Sequence, residues 1–281
     1  MRMMDVAIIE DEIRRAVQTI NLHTPEPVMI QLDAILMSEP SPAGRSAMVD
    51  IVANRHVASA RAMPMCQDTG MAIVFLEIGQ DVHFIGGDLR AAITNGVRRG
   101  YDEGYLRKSV VSEPLFERAN TKDNTPAVIH TEIVSGERVS LIVAAKGFGA
   151  ENMSRALVLT PADGIAGVKR EVVHCVEDAG PNACPPIVVG VGVGGTLEMA
   201  TYLAKKALMR DVGVRHPDAR YAALELELLD LVNRTGVGPQ GWGGVNTALD
   251  VRIEYYPTHI AGLPLAINLD CHLQRHMRIE L

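Results

Sequence analysis

Apolar residues recur at Ile9, Ile13, Val17 and Ile20 early in the chain, with Glu10, Asp11, Arg14 and Arg15 on the other faces. That spacing predicts an amphipathic helix ending near the Thr24-Pro25 turn. A second helix is expected over roughly Ser46 to Ala62, and its exit at Met63-Pro64 delivers the chain to Cys66. Ala72 to Ile78 reads as a buried strand, and Asp88 to Glu103 as a helix carrying Leu89, Ile93 and Val97. Ala127 to Val134 and Arg138 to Ala144 are β-rich runs around Ser135-Gly136-Glu137, the pattern of a hairpin or of two neighbouring strands. Next come a helix over Ala162 to Ala179, a strand over Ile187 to Val189, a helix from Thr196, and a helix over Tyr221 to Asn233 closed by Gly236. Val251, Ile253 and Tyr255 alternate as a strand, and Leu263 to Leu269 forms another. Helices and strands mix without strict βαβ alternation, so the expected fold class is α+β rather than doubly wound. With no internal repeat, residues 1–281 read as one domain with room for a subdivision near residue 160.

Composition narrows the function. A chain of 281 residues with 47% hydrophobic content can bury a real core. A formal net charge of −7 with no basic block lacks the electrostatic footprint of a nucleic-acid binder. The early charges at Asp5, Glu10, Asp11 and Glu12 do not suit a signal peptide, and no apolar stretch is long enough to span a bilayer. The expected location is therefore the cytoplasm, a reducing compartment in which thiols persist. Aromatic residues make up only 4%, so the core must be largely aliphatic.

The strongest chemical signal is Cys66-Gln67-Asp68-Thr69-Gly70, which places a soft sulfur ligand two residues from a carboxylate. Cys184 lies in Asn182-Ala183-Cys184-Pro185-Pro186, and Cys271 in Asp270-Cys271-His272. Three separated thiols can cap three corners of an iron–sulfur cube and leave one iron open to substrate, whereas four would close the site for electron transfer. The alternative for any lone cysteine is a small buried hydrophobe. Cys175, in the apolar run Val172-Val173-His174-Cys175-Val176, takes that reading. A disulfide scaffold does not suit a chain of this size and cysteine content, and structural zinc lacks its short Cys-x-x-Cys spacing.

Other candidates carry two readings each. Asp68 is a general acid or base, or an Asx-turn fixing Thr69-Gly70. Gln67 could hydrogen-bond at the same site. Arg107 and Lys108 could grip a substrate carboxylate, Arg107 with its bidentate fork, or simply face water. His259 is a catalyst or a hydrogen-bonded structural residue. His272 and His276 share a conceivable helix face with Cys271, as ligands or as solvated imidazoles. Gly190-Val191-Gly192-Val193-Gly194-Gly195-Thr196 contains G-x-G-x-x-G, but no acidic strand end follows at Gly213 to Pro217, which weakens a dinucleotide reading. It is expected to be a tight turn bringing N–H groups to an anion or cluster, with a structural turn as the alternative.

Taken in order, Cys66-Gln67-Asp68-Thr69-Gly70, Tyr105-Leu106-Arg107-Lys108-Ser109, Asn124-Thr125-Pro126-Ala127, Lys146-Gly147-Phe148-Gly149, Ala183-Cys184-Pro185-Pro186, Thr258-His259-Ile260-Ala261-Gly262 and Cys271-His272 form a set. It resembles the α subunit, or N-terminal half, of class I iron–sulfur fumarate hydratases, with the tartrate dehydratase α subunit a close relative. The resemblance covers nearly the whole chain. It implies a [4Fe–4S] cluster held by Cys66, Cys184 and Cys271, with the fourth iron acting as a Lewis acid on a C4 dicarboxylate. It also implies catalytic roles for Asp68 and His259, with Gln67, Arg107, Gly147 and Gly149 lining the substrate. The chain stops ten residues after Cys271, so the resemblance implies a β subunit that completes the active site, in a higher-order oligomer. Lys146-Gly147-Phe148-Gly149-Ala150 departs from the family's Lys-Gly-Gly-Gly-Ser and narrows the loop. The Lys146 loop and Thr258 to Pro264 look like the fumarase versions, so hydration of fumarate to malate is expected, with tartrate or mesaconate chemistry as the alternative. A non-catalytic scaffold subunit and a nucleotide-binding dehydrogenase are the competing classes.

Overall fold

The computed structural model describes residues 1–281. The chain runs β1 (Arg2–Asp5), α1 (Val6–Leu22), α2 (Glu26–Ser38), α3 (Pro42–Arg61), β2 (Met71–Gly79), β3 (Val82–Ile85), α4 (Leu89–Glu103), β4 (Val128–Val134), β5 (Val139–Lys146) and α5 (Phe148–Glu151). It continues through β6 (Arg155–Leu159), α6 (Gly164–Ala179), β7 (Ile187–Gly194), α7 (Leu197–Ala207), α8 (Ala219–Asn233), β8 (Ala248–Tyr256), β9 (Leu263–Asp270) and β10 (His276–Glu280). The fold is α+β, as the mixed pattern predicts. No helix is long and apolar enough to cross a membrane.

Two compact units divide the chain, each assembled from separated segments. The first comprises Met1–Thr24, Arg55–Phe148 and Arg275–Leu281. Its four-stranded sheet has the order β10-β5-β2-β4, with β2 and β4 parallel and the other pairs antiparallel. Asp5 caps α1 by accepting the Ala7 N–H at 2.9 Å, and Asp88 caps α4 by accepting that of Ala91 at 2.7 Å. Ile9, Ile13, Val17 and Ile20 form the buried stripe of α1. They share a core with Ile93, Val97 and Tyr101 of α4 and with Val74, Leu76, Leu141 and Val143 of the sheet.

The expected hairpin of Ala127–Val134 with Arg138–Ala144 does not form. Both strands exist, but β2 lies between them. Their connection crosses the end of β2, where Gly79 N donates to Arg138 O at 2.7 Å and Asp81 N to Gly136 O at 3.0 Å. β5, buried along its whole length, needs partners on both edges, and β10 and β2 supply them.

The second unit comprises Pro25–Asn54 and Gly149–Gln274. Its sheet has the order β6-β9-β7-β8, with β7 and β8 parallel and β9 antiparallel to both β7 and β6. One face carries Val189, Val191, Val251, Ile253, Leu265, Ile267 and Leu269, packed with the apolar sides of α6 and α8. On the opposite face Ala266 packs against Ala200 and Ala204 of α7.

The glycine pattern has a different meaning from the one expected. Gly190 and Gly192 are strand residues inside β7, not members of an anion-binding turn. A Cβ built on Gly190 would stand 2.2 Å from Ala204 O, and one on Gly192 would stand 2.0 Å from Ala200 O. The glycines let α7 lie directly on the strand backbone, leaving no space for a ligand there. Gly192→Ala is therefore expected to lower stability by at least about 2 kcal/mol, because helix backbone cannot yield as a side chain can. Urea unfolding of the variant against the wild-type chain measures it.

Candidate active site

In the first unit, residues 66–70 form a turn gripped from several sides. The Asp68 N–H donates to Cys66 Sγ at 3.4 Å, which fixes the sulfur on the inside of the turn. Asp68 Oδ1 accepts the Gly70 N–H at 3.0 Å, the Asx-turn considered from sequence. Asp68 Oδ2 accepts the Phe148 N–H at 2.8 Å, so this carboxylate also ties down the loop after β5. A carboxylate has about four lone-pair sites, and each oxygen keeps one for a proton or a ligand.

Below the turn sit buried polar groups that sequence reasoning left out. Arg275 is 4% exposed. Its Nη1 donates to the Asp68 carbonyl at 2.6 Å and to Asn21 Oδ1 at 3.0 Å. Tyr101 is fully buried, and its hydroxyl donates to the carbonyls of Thr69 (2.8 Å) and Gly70 (3.0 Å). Burial pushes the Tyr101 phenol well above its ordinary range, against the opposing pull of the Arg275 charge, so it remains a donor. Asn124 Nδ2 donates to Gly70 O at 3.1 Å. The signals available in the sequence were a lone arginine four residues after Cys271 and a tyrosine closing the apolar stripe of α4.

The neighbouring segments meet this turn. Thr69 Oγ1 donates to the Arg107 carbonyl at 3.0 Å, which sets residue 107 beside it. The Arg107 side chain is exposed and has no partner in the chain, whereas Lys108 Nζ is paired with Asp102 at 3.1 Å. Of the two cations, Arg107 is the one available to a carboxylate. A Cβ on Gly147 would stand 3.0 Å from Arg275 Nη2 and 3.2 Å from Asp68 Oδ2, so the loop passes close to both groups. The Lys146 side chain is buried, with Nζ 3.2 Å from Gly147 O. Gln67 is exposed at the rim of the turn.

In the second unit, Cys184 precedes β7 and Cys271 follows β9. The antiparallel register pairs Val188 with Asp270, so both thiols lie at the same end of the sheet. His272 Nδ1 is 3.1 Å from the Cys184 carbonyl. A carbonyl only accepts, so that nitrogen carries the proton. A Cβ on Gly149 would stand 3.3 Å from Asn182 O, placing Gly149 beside the Cys184 turn. The helix face suggested for Cys271, His272 and His276 is absent. Gln274 adopts a left-handed φ of 45°, His272 sits in a turn and His276 opens β10.

His259 lies elsewhere in this unit. It occupies the exposed connection from β8 to β9, where its Nδ1 accepts the Ala261 N–H at 3.2 Å. β9 spans Leu263–Asp270, so at about 3.4 Å per residue the His259 and Cys271 turns stand roughly 25 Å apart. The structure brings Cys184, Cys271 and Gly149 together within the unit and does not bring His259 to them. His259 instead lines an apolar groove of about 370 Å³ with Ile165, Tyr221 and Ile260.

The four cysteines are outside disulfides. Cys66, Cys184 and Cys271 are partly exposed, whereas Cys175 is fully buried in α6 and its thiol faces Met153 O at 3.4 Å. Burial pushes the Cys175 thiol up to about 12, so it stays protonated and is a poor ligand. Each of the three partly exposed thiols is by its donor type a ligand suited to iron, and Cys175 is the small apolar filler its sequence suggests. No three His, Cys, Asp or Glu side chains converge as ligands of a single ion would.

The family model described as fumarate hydratase (fumerase) matches residues 10–280. The chain is 39% identical over 266 residues to the "Putative L(+)-tartrate dehydratase subunit alpha" of Methanocaldococcus jannaschii, covering 92% of this chain and 93% of that one. It is 31% identical over 260 residues to the L(+)-tartrate dehydratase subunit alpha of Escherichia coli, covering 91% and 85% respectively. With a family match along almost its entire length and relatives aligned over most of theirs, this chain belongs to the fumarate hydratase family.

Proposed function

We propose that the chain is the α-type subunit of an iron–sulfur hydro-lyase acting on a C4 dicarboxylate, with L-tartrate as the preferred substrate and residues 1–281 as its catalytic domain. The observation that carries the substrate choice is the 39% identity over more than nine-tenths of both chains to a relative named for tartrate dehydration. This reverses the fumarate preference drawn from the Lys146 and Thr258 segments, which were too short to rank two dicarboxylates. A β-type partner is proposed because both relatives are named as α subunits.

Cys66, Cys184 and Cys271 would hold a [4Fe–4S] cluster, with three thiolates leaving one iron open. When bound, the cluster supplies a Lewis acid for the hydroxyl that leaves or enters. Arg107, exposed and unpaired, would take a substrate carboxylate through its planar fork. Gln67 would hydrogen-bond the bound dicarboxylate, and Gly147 and Gly149 would let backbone approach it without side-chain interference. Asp68, fixed on both oxygens by backbone donors, would exchange a proton with the hydroxyl or water. His259, at the far end of β9 from Cys271, would serve as an acid–base group only at a site to which a second copy of the chain contributes the cysteines.

The test is anaerobic co-production with a β-type partner, iron and sulfide analysis, and turnover assays on L-tartrate, fumarate and mesaconate. Four irons per αβ pair, about the content of one cube, with fastest turnover on L-tartrate is the expected result. Fastest turnover on fumarate would restore the fumarase reading. A chain without iron under strict anaerobiosis would sink the hydro-lyase reading and favour a scaffold.

A further inference from the structure

The segment 236–246, Gly-Val-Gly-Pro-Gln-Gly-Trp-Gly-Gly-Val-Asn, has no role in the chemistry described so far, yet it is held firmly from both ends. Gly238 N donates to the hydroxyl of fully buried Thr247 at 3.1 Å. At the other end the carboxylate of Glu39, only 3% exposed, accepts the N–H groups of Val245 and Asn246 at 3.2 Å each and Asn246 Nδ2 at 2.8 Å. Such a buried carboxylate, satisfied by converging donors, is a strong anchor for backbone.

Between these anchors, Gln240 turns toward the Cys184 segment. Its backbone N–H and its side-chain Nε2 both donate to the Pro185 carbonyl, at 2.8 and 2.7 Å. Bringing both donors of one residue onto one oxygen goes with a left-handed backbone, and Gln240 has φ of 53°. A non-glycine residue in that region is strained, and it persists because the surrounding contacts over-determine it. Gly241 completes the fit, since a Cβ there would stand 2.5 Å from Pro181 Cβ.

The clamp reaches both thiol turns. Pro185 directly follows Cys184, whose own φ is 56°. The Cys184 carbonyl is held by His272, the residue after Cys271. Gln240 Nε2 lies 3.4 Å from that imidazole nitrogen. Because the nitrogen already donates to Cys184 O, this is packing contact rather than a second hydrogen bond. The carbonyls of residues 184 and 185 are thus pinned from two directions, one of them from the Cys271 turn.

We propose that Gln240 is a positioning residue that acts through Pro185 and His272 to fix the Cys184 and Cys271 turns relative to each other for cluster binding. The proposal rests on the iron–sulfur reading for its purpose, while the clamp itself is testable in the cluster-free chain. Trp242, the only tryptophan and 67% exposed, lies two residues from Gln240 and reports on the loop.

The experiment uses the full chain carrying Gln240→Met, which keeps side-chain length and removes the side-chain donor while leaving the backbone N–H in place. In the cluster-free state, iodoacetamide labelling followed by peptide mass mapping reads each thiol separately. The expected result is labelling of Cys184 and Cys271 that is severalfold faster than in the wild-type chain, with Cys66 unchanged. After anaerobic reconstitution with iron and sulfide, the variant should lose iron to a chelator severalfold faster, seen as recovery of quenched Trp242 fluorescence. Its melting temperature should remain near that of the wild type, which separates positioning from general support. Equal labelling at Cys184 and Cys271 together with equal iron retention would overturn the proposal. Should Gln240→Met not fold, His272→Phe keeps a ring, removes the donor to the Cys184 carbonyl and so cuts the same linkage from the other side; it is read by the same two criteria. A wild-type chain that takes up no iron would remove the hydro-lyase reading, and the labelling result would still decide the clamp.

Discussion

Serine in place of Cys66, Cys184 or Cys271 will each abolish cluster retention and turnover, whereas Cys175→Ser will retain both. A serine hydroxyl is a harder ligand that remains protonated at neutral pH, so it replaces a thiolate poorly on iron. The three positions are equivalent in accessibility, and each lies in a turn beside other candidate site residues. Cys175 differs in environment rather than in chemistry. It is buried among Val172, Val176 and Ala179, and its protonated thiol faces Met153 O. A serine there keeps the hydrogen bond but introduces a hydroxyl into an apolar core, for a loss of about 1 kcal/mol. Iron content per chain, turnover and urea midpoints on the four variants measure the contrast. Loss of iron in Cys175→Ser with retention in Cys66→Ser would overturn the ligand assignment.

Asp68→Asn is expected to lower turnover about 10²- to 10⁴-fold, the range attached to a positioned general acid or base. The substitution nearly preserves shape but replaces one acceptor oxygen with a donor nitrogen. In the structure both oxygens accept backbone N–H groups, from Gly70 and from Phe148. However an asparagine is turned, one of those donors faces the amide NH2. That mismatch costs about 1–3 kcal/mol, and it falls on the turn that carries Cys66. The two consequences separate by measurement. Normal iron content with reduced kcat places Asp68 in the proton chemistry, while iron loss in proportion to activity reduces its role to holding the turn.

The elements legible in the sequence were those with a complete local signature. Ile9, Ile13, Val17 and Ile20 mark α1 because one face of a helix can reach the core without reference to distant chain. The same holds for β2, α4, α6, α8, β8 and β9, whose observed limits lie within a few residues of the expected ones. Other elements were not read. Val28, Leu32 and Ile35 of α2 follow helical spacing, but proline at its first turn resembled a loop signal. β1, β3, β6 and β10 are short, and their pairing partners lie elsewhere in the chain. The sequence pattern ends β7 at Val189 because Gly190 and Gly192 resemble a turn, yet the strand runs on to Gly194, since a strand tolerates glycine where a helix approaches its backbone closely.

Residue type and near neighbours in the sequence mark the candidates for the chemistry: three thiols in distinctive segments, a carboxylate beside one of them, and an arginine without an obvious structural duty. Those assignments follow from residue type and immediate neighbours. The tertiary structure alone decided which of them meet. It set β2 between β4 and β5, put Cys184 and Cys271 at one end of a sheet and His259 at the other, and drew Arg275, Tyr101 and Gln240 under the thiol turns. Strand order and register come from burial and hydrogen bonds between residues far apart in the chain, and a local pattern of apolar and polar positions carries no record of them.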